Sequence, residues 1–316
     1  MGTLMVILGP TAVGKSALGM RLAEQLDGEI VNADALQVYR GFDVGTAKPT
    51  AEERRRVRHH LIDILDPHEQ FSAGDFARRA RQAIEDIGQR SKVPIVVGGS
   101  GLYLRALLEG IAEIPPVDPR LTDYLRRRLG AEGLARQRLG LTLLDPETAN
   151  RLAPGDTQRT LRALAVALGT GRPLAAWIAE RPYGRQPLPA LRIGLTLPRA
   201  ILYDRIADRV RSMVQEGWVE EVVELLDRGL SPSLPAFQAI GYRQLAGVAR
   251  GRTTLEEAIA ETIRATTRFA KRQATWHRNE KNITWFSADE IERELPQIVA
   301  IWNEFGRRGA YAEDDN

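Results

Sequence analysis

The feature that most restricts this chain is the run Gly9-Pro10-Thr11-Ala12-Val13-Gly14-Lys15-Ser16. It stands between an apolar segment, Leu4 to Leu8, and a stretch in which Leu18, Leu22 and Leu26 recur at helical spacing. Strand, glycine loop and helix in that order form a P-loop unit. Its glycines let backbone amides turn toward phosphate oxygens, and the helix N-terminus adds partial positive charge. Lys15 supplies a point charge, and the Ser16 hydroxyl is an oxygen ligand for Mg2+. Gly9, Thr11, Ala12, Val13, Gly14, Lys15 and Ser16 are therefore expected to hold a diphosphate or triphosphate, as in a nucleotide.

The unit is followed by more of its kind. Glu29 to Val31 reads as a strand running into Asn32-Ala33-Asp34, Leu61 to Leu65 as another, and Val93 to Val97 as a buried strand ending in Gly98-Gly99. Ser72 and Asp75 form a capping box ahead of Phe76, Ala80, Ala83, Ile84 and Ile87, an amphipathic helix. Strands alternating with helices predict an α/β fold, a parallel sheet flanked by helices. The proline-rich segment 114–119 then breaks the pattern, and Arg120 to Gly171 reads as Arg-rich helices. A turn-rich stretch, Arg181 to Pro189, leads to a strand at Leu191 to Leu197. Residues 1–114 and 190–308 are thus expected to form a P-loop α/β core, interrupted by an all-helical insertion at 115–189. Ile201 to Leu226 continues as helices stopped at Gly229. A last long helix follows the capping box Thr254 to Glu257, with Ile259, Ile263 and Ala270 inside and Arg264, Arg268, Lys271 and Arg272 on another stripe. Residues 309–316 are expected to be a disordered tail.

Composition narrows the function classes. In 316 residues there is no cysteine, which excludes a disulfide framework, a thiol nucleophile and thiolate zinc sites. Four histidines are too few for an imidazole metal centre, so any metal is expected to be oxygen-bound. No apolar run reaches the roughly 18 residues of a membrane span, and the N-terminus reads as a strand and loop, so a cytoplasmic location is expected. Net charge is only +3, but five of the 44 basic residues are Lys and the rest Arg, and they cluster. Six Arg against two acids lie between Arg120 and Arg138, and six basic residues against Glu280 between Arg264 and Lys281. Such patches suit phosphate-rich partners or, equally, solvated helix faces.

Hydrolysis of a nucleotide normally needs an acidic residue at the end of a second strand to organise Mg2+. The Val93 to Val97 strand instead runs into Gly98-Gly99-Ser100-Gly101. The acid follows the second strand, as Asp34, at the sheet edge where ligands of open α/β folds collect. There a carboxylate suits a general base for an incoming nucleophile, as in an acceptor-binding kinase or another transferase. A turn or helix cap is the alternative role for Asp34.

Further runs, in order along the chain, are Asp34-Ala35-Leu36-Gln37-Val38-Tyr39-Arg40-Gly41, Gly45-Thr46-Ala47-Lys48-Pro49, His59-His60-Leu61-Ile62-Asp63, Gly98 to Tyr103, Gly241-Tyr242, and Thr267 to Trp276. Together they closely resemble the tRNA dimethylallyltransferase (tRNA isopentenyltransferase) family. That resemblance implies transfer of a dimethylallyl group from dimethylallyl diphosphate to N6 of the adenosine just 3′ of a tRNA anticodon, with Mg2+ and without consumption of ATP. It implies Asp34 as the base, Lys15 and the loop amides on the leaving diphosphate, and Ser100 as a donor to the bridging or leaving oxygen. Arg209, or failing it Arg205, completes the diphosphate site. The flipped adenine would occupy a channel lined by Asp34, Ala35, Leu36 and Gln37, with the Gln37 amide reading the purine edge. Gln158, Arg159, Thr160, Leu161 and Arg162, with Arg120 and with Arg268, Lys271 and Arg272, would clamp the RNA. A monomer is the implied state.

The sequence departs from the family pattern in places. Ser100 stands where the family usually has Thr, Ala35 where it commonly has Ser, Ala153-Pro154-Gly155-Asp156 where His-Pro-Asn-Asp is more usual, and Ala165 at a usual Glu position. A turn hydroxyl remains open for Ser100, a surface helix position for Gln37, and core packing as well as base stacking for Trp276. A P-loop small-molecule kinase and a non-catalytic RNA-binding protein are the competing functional classes.

Overall fold

A computed structural model of the chain describes residues 3–180 and 188–313. Most of the turn-rich stretch expected from Arg181 onward, and the last three residues of the expected tail, lie outside the described residues. Six parallel strands form one sheet in the order β3-β2-β4-β1-β5-β6. They are β1 (Leu4–Leu8), β2 (Gly28–Asn32), β3 (His59–His60), β4 (Val93–Gly98), β5 (Ala190–Thr196) and β6 (Ile283–Ser287). β1 is buried at every position, as a continuous apolar run in the middle of a helix-covered parallel sheet must be. Its partners are β4, with Met5 opposite Ile95 and Leu8 opposite Gly98, and β5, with Leu4 opposite Ala190 and Leu8 opposite Gly194.

The sheet corrects two expectations. Leu61 to Leu65 is not a strand; the third strand stops at His60 because Leu61 and Asp63 take left-handed backbone, with φ of 61° and 56°. The segment turns instead to run beside 37–40, through Asp63 N to Gln37 O (3.2 Å), Leu65 N to Val38 O and Arg40 N to Leu65 O (both 3.0 Å). β6 was not anticipated. It is an edge strand paired only with β5, and its exposed Thr284 and Trp285 blur the apolar pattern.

Thirteen helices are described, α1 (Lys15–Gln25), α2 (Ala51–Arg56), α3 (Ala73–Gln89), α4 (Gly101–Glu109), α5 (Pro119–Leu144), α6 (Pro146–Arg151), α7 (Thr157–Thr170), α8 (Leu174–Glu180), α9 (Arg199–Gln215), α10 (Trp218–Asp227), α11 (Tyr242–Ala249), α12 (Leu255–Arg278) and α13 (Ile291–Glu313). Both capping boxes form. Ser72 and Asp75 close the start of α3, and Thr254 and Glu257 that of α12. On α12, Ile259 and Ile263 are only partly buried; the inward face is Ala258, Thr262, Ala265, Ala270, Gln273 and His277. α13, also unanticipated, buries Ile298 and Trp302 against the sheet core and runs to Glu313, so 309–313 are helical and not a tail.

The chain divides into two compact units, Met1–Leu108 with Leu188–Asn316, and Glu109–Pro187. The sequence places these cuts at 114/115 and 189/190; the contacts place them at 108/109 and 187/188. In the second unit α5 packs on α7 around Leu125, Leu141, Leu161 and Leu164, and the buried Asp145 carboxylate accepts from Thr148 N (3.0 Å) and Ala175 N (3.1 Å), fastening α6 to α8. The first unit has one core on the sheet and another around Phe42, Trp218, Phe237 and Tyr242. Phe42 is fully buried, with ring centroids 4.7 Å from Tyr242 and 5.4 Å from Phe237. It anchors the loop that follows β2. Phe42→Ala is expected to cost about 3–5 kcal/mol of stability in denaturant unfolding; a loss below about 1 kcal/mol would show that this cluster does not hold the loop.

Candidate active site

Parallel pairing brings the carboxyl ends of β1, β2, β4 and β5 to one edge, and the functional residues follow those ends. After β1, Gly9, Ala12 and Gly14 have φ of 147°, 63° and 105°. These left-handed turns curl the loop into a nest of amides that opens onto the first turn of α1. Ala12 is a non-glycine residue in that region, the kind of local strain that binding loops retain. Lys15 Nζ donates to Pro10 O (2.7 Å), which holds the ammonium across its own loop. Desolvation, then repulsion from Arg209, lowers its pKa to about 8, against an opposing attraction from Asp34. Lys15, Arg209 and Asp34 therefore share one electrostatic site.

The two candidate arginines differ in their surroundings. Arg209, on α9, is part-buried and feels Asp34, whereas Arg205 is exposed and acts on Asp289. Asp34 is half-buried, and its Oδ1 accepts from Leu36 N (2.8 Å) and Gln37 N (3.4 Å). The turn uses one oxygen of the carboxylate and leaves the other outside it. Ser100, half-buried, accepts from Leu104 N through its carbonyl (3.0 Å) and so starts α4. Ser16 is exposed in the first turn of α1.

Gln37 lies in a turn and not on a surface helix. Its Nε2 donates to Thr46 O (2.9 Å) and Ala47 O (3.2 Å), so both amide hydrogens are committed and Oε1 is left as an acceptor. Those carbonyls are themselves held. Glu221, from α10, accepts from Asp43 N (2.9 Å), Val44 N (2.7 Å), Gly45 N (3.4 Å) and the Tyr242 hydroxyl (2.5 Å). Lys48, its side chain 2% exposed, ties Tyr39 O to Asp43 and Asp63. Sequence reasoning missed Glu221, which is an ordinary helix glutamate until the fold puts it under the loop.

The expected nucleic-acid contacts divide. Ala35 is exposed and Leu36 half-buried beside Asp34. Arg120, Gln158, Arg159 and Arg162 are exposed on the second unit. Thr160 and Leu161 are not surface residues, at 0% and 9% exposure; they belong to the buried side of α7 with Ala163, Leu164 and Ala165, and Leu161 packs in the cluster that α7 shares with α5. On α12, Arg268, Lys271 and Arg272 are exposed, but Glu261 pairs with both Arg264 and Arg268 at 2.9 Å. Trp276 is half-buried with the Arg105 guanidinium 4.5 Å from its ring centre, and so is packed within the first unit. Among the described residues there is no group of three or more His, Asp or Glu that could hold a metal, and no helix is long and apolar enough to cross a membrane.

A family model described as IPP transferase matches residues 37–280. The chain belongs to this family. It is 46% identical over 282 residues to a tRNA dimethylallyltransferase of Geobacter metallireducens, covering 89% of this chain and 91% of the relative. It is 47% identical over 299 residues to tRNA dimethylallyltransferase 1 of Trichlorobacter lovleyi, covering 95% and 98%. Among solved structures it is similar to the tRNA isopentenylpyrophosphate transferase of Bacillus halodurans, with a TM-score of 0.72, 38% identity and coverage of 99% and 100%. It is also similar to a eukaryotic dimethylallyltransferase acting on tRNA, with a TM-score of 0.81, 26% identity and coverage of 96% and 79%. The family is one of transferases, and this chain is an enzyme of that class.

The charge state of Lys15 gives the site a pH signature. Its protonated form attracts an anion, and that form is lost as pH rises through about 8 in the free protein. Affinity for inorganic diphosphate is expected to fall above that pH by up to about tenfold per unit, one proton being taken up on binding. Calorimetry across pH 6 to 10 measures this, with Lys15→Ala, which lacks the proton, as the control; equal slopes for the two proteins would remove Lys15 from the site.

Proposed function

We propose that this enzyme transfers a dimethylallyl group from dimethylallyl diphosphate to N6 of the adenosine 3′-adjacent to a tRNA anticodon, releasing diphosphate. The observation that carries this reading is a nest of loop amides with two cations, Lys15 and Arg209, in electrostatic reach of a carboxylate that keeps one oxygen out of its own turn. The names of the relatives supply the group and the acceptor.

The allylic carbon–oxygen bond breaks with its electron pair leaving on the diphosphate. The loop amides, Lys15 and Arg209 meet that charge where it develops, in fixed positions that need no rearrangement. The adenine N6 lone pair forms the new carbon–nitrogen bond. The amine becomes acidic only as that bond forms, and Asp34 takes its proton on the oxygen not used by the turn. The Ser100 hydroxyl donates to the bridging oxygen as it becomes anionic. Gln37 offers Oε1, an acceptor, to an amino group on the purine edge, which suits adenine and opposes a keto purine at the same position.

Mg2+ fits this site as a guest of the substrate. Among the described residues there is no cluster of three or more carboxylate or imidazole groups, the phosphate loop offers Ser16 Oγ, and Mg2+ characteristically keeps waters and is bound largely through substrate phosphates. Bound there, it would neutralise part of the diphosphate charge. RNA phosphates are met on the second unit by Arg120, Gln158, Arg159 and Arg162, with Thr160 and Leu161 packed inside α7 beneath them, and separately on α12 of the first unit by Arg268, Lys271 and Arg272.

The test is transfer of carbon label from dimethylallyl diphosphate to unmodified tRNA with Mg2+, beside the same acceptor with γ-labelled ATP. Label is expected in the RNA at the adenosine beside the anticodon; ATP label in a product without prenyl transfer would make the enzyme a kinase. Asp34→Asn keeps an oxygen for the Leu36 amide and removes the base. It is expected to lower kcat by about a hundred- to ten-thousandfold with tRNA affinity unchanged, and an equal loss of both would refute the assigned role.

A further inference from the structure

The glycine run after β4 lacks the carboxylate that a nucleotide hydrolase places there, and the structure shows what occupies that space instead. Gln273, on α12, is 8% exposed. Its Oε1 accepts from Thr11 N in the phosphate loop (2.8 Å), and its Nε2 donates to Gly99 O in the loop carrying Ser100 (2.9 Å). The chemistry fixes the orientation of the amide, because one partner is only a donor and the other only an acceptor. Gly99 has no side chain for a reason of space: a Cβ there would lie 2.3 Å from Gln273 Nε2 and 3.0 Å from Gly9 O. One turn further along α12, Trp276 closes over Gly101, where a Cβ would meet the indole at 2.1 Å, and the buried His277 interacts with the Gly99 backbone. Positions 273, 276 and 277 share one helix face. That face is the seat of the glycine run.

We propose that Gln273 is a positioning residue that sets the phosphate loop and the Ser100 loop in fixed register, so that leaving diphosphate and its hydroxyl donor meet at one place. This rests on the proposed prenyl transfer for its meaning, and on the geometry alone for the link between the loops. Thr11 enters the argument differently from its sequence-based reading. Its amide is already spent on Gln273, so it is a hinge pin of the loop, and the diphosphate is received by the amides from Ala12 onward. A glutamine is required because a single planar group must accept from one loop and donate to the other. Glutamate, when ionised, cannot donate, and methionine of similar length has no donor and only a weakly accepting sulfur. The residues next to it on α12, Lys271 and Arg272, are exposed, so the same helix presents cations outward and holds the phosphate loop inward.

Two measurements test this. In the unliganded wild-type protein, amide hydrogen exchange at Thr11 is expected to be slow, while the amides of residues 12–16 become protected only when inorganic diphosphate and Mg2+ are added. Thr11 exchanging as freely as its neighbours, and slowed only by diphosphate, would overturn the proposal. In Gln273→Met, the Kd for inorganic diphosphate and the KM for dimethylallyl diphosphate are expected to rise about tenfold or more, with tRNA affinity in the absence of donor unchanged. A merely structural role would lower the Tm and leave both constants at their wild-type values when measured well below it, and that result would also overturn the proposal. If the variant does not fold, the exchange experiment on the wild-type protein decides. Wild-type transfer activity is read in the same assay. Diphosphate binding and a protected Thr11 without prenyl transfer would sink the proposed reaction and leave the role of Gln273 standing.

Discussion

The parallel hydrogen bonding of β1 between β4 and β5 is the constraint on which the site depends. Because all three strands run the same way, their carboxyl ends leave the sheet together, and the phosphate loop, the Ser100 loop and the approach to α9 start from one edge. β2, paired with β4 in the same direction, delivers Asp34 to that edge as well. No long-range charge attraction is needed to assemble Lys15, Arg209 and Asp34. Backbone pairing does it, and the electrostatics then follow from where the backbone has put the groups. This order of causes accounts for Lys15, which is held against the cost of desolvation and the repulsion of Arg209 and is consequently easier to deprotonate than a surface lysine.

The loop from Asp34 to Lys48 is built on a different principle. It contains little regular structure, and its shape is enforced by side chains from elsewhere: Glu221 under three successive amides, Lys48 across the loop and beyond it, and Phe42 in an aromatic cluster. Irregular backbone of this sort must have its amides satisfied by something, and here a carboxylate from α10 performs the task that a strand partner would perform in a sheet. The cost is that the orientation of Gln37 depends on residues far from it in sequence. The benefit is a glutamine whose hydrogen-bonding sense is fixed before any ligand arrives.

What was legible in the sequence, and what was not, follows the range of the interactions. The P-loop, the capping boxes at Ser72 and Thr254 and the central strands are written in residues close together, so spacing reveals them. The third strand was misplaced because Leu61, an apolar residue in an apolar run, takes a backbone conformation that its type rarely adopts. β6 and α13 were overlooked because an edge strand and a surface helix mix polar and apolar positions. Thr160 and Leu161 lie in a motif that resembles an RNA-contacting stretch, but the apolar side of α7 takes them inward. Gln273 stood in a recognisable run, but its partner Thr11 lies 262 residues away, and nothing local in either segment announces the bond. The same holds for Glu221 and the loop it supports.

Glu261 gives the basic face of α12 a property that a count of its arginines conceals. Binding of nucleic acid by free surface cations is driven largely by the release of condensed salt ions, which makes it weaken steeply as salt rises. Arg264 and Arg268 already carry a tethered counterion in Glu261. A phosphate that engages them exchanges one anion for another, and the displaced one stays attached to the protein. When RNA binds this face as proposed, these two positions would contribute less to the salt dependence of binding than Lys271 and Arg272. They would act as a local threshold: a stray polyanion would have to outcompete an internal carboxylate, whereas an RNA anchored at other points would be brought to them at high effective concentration.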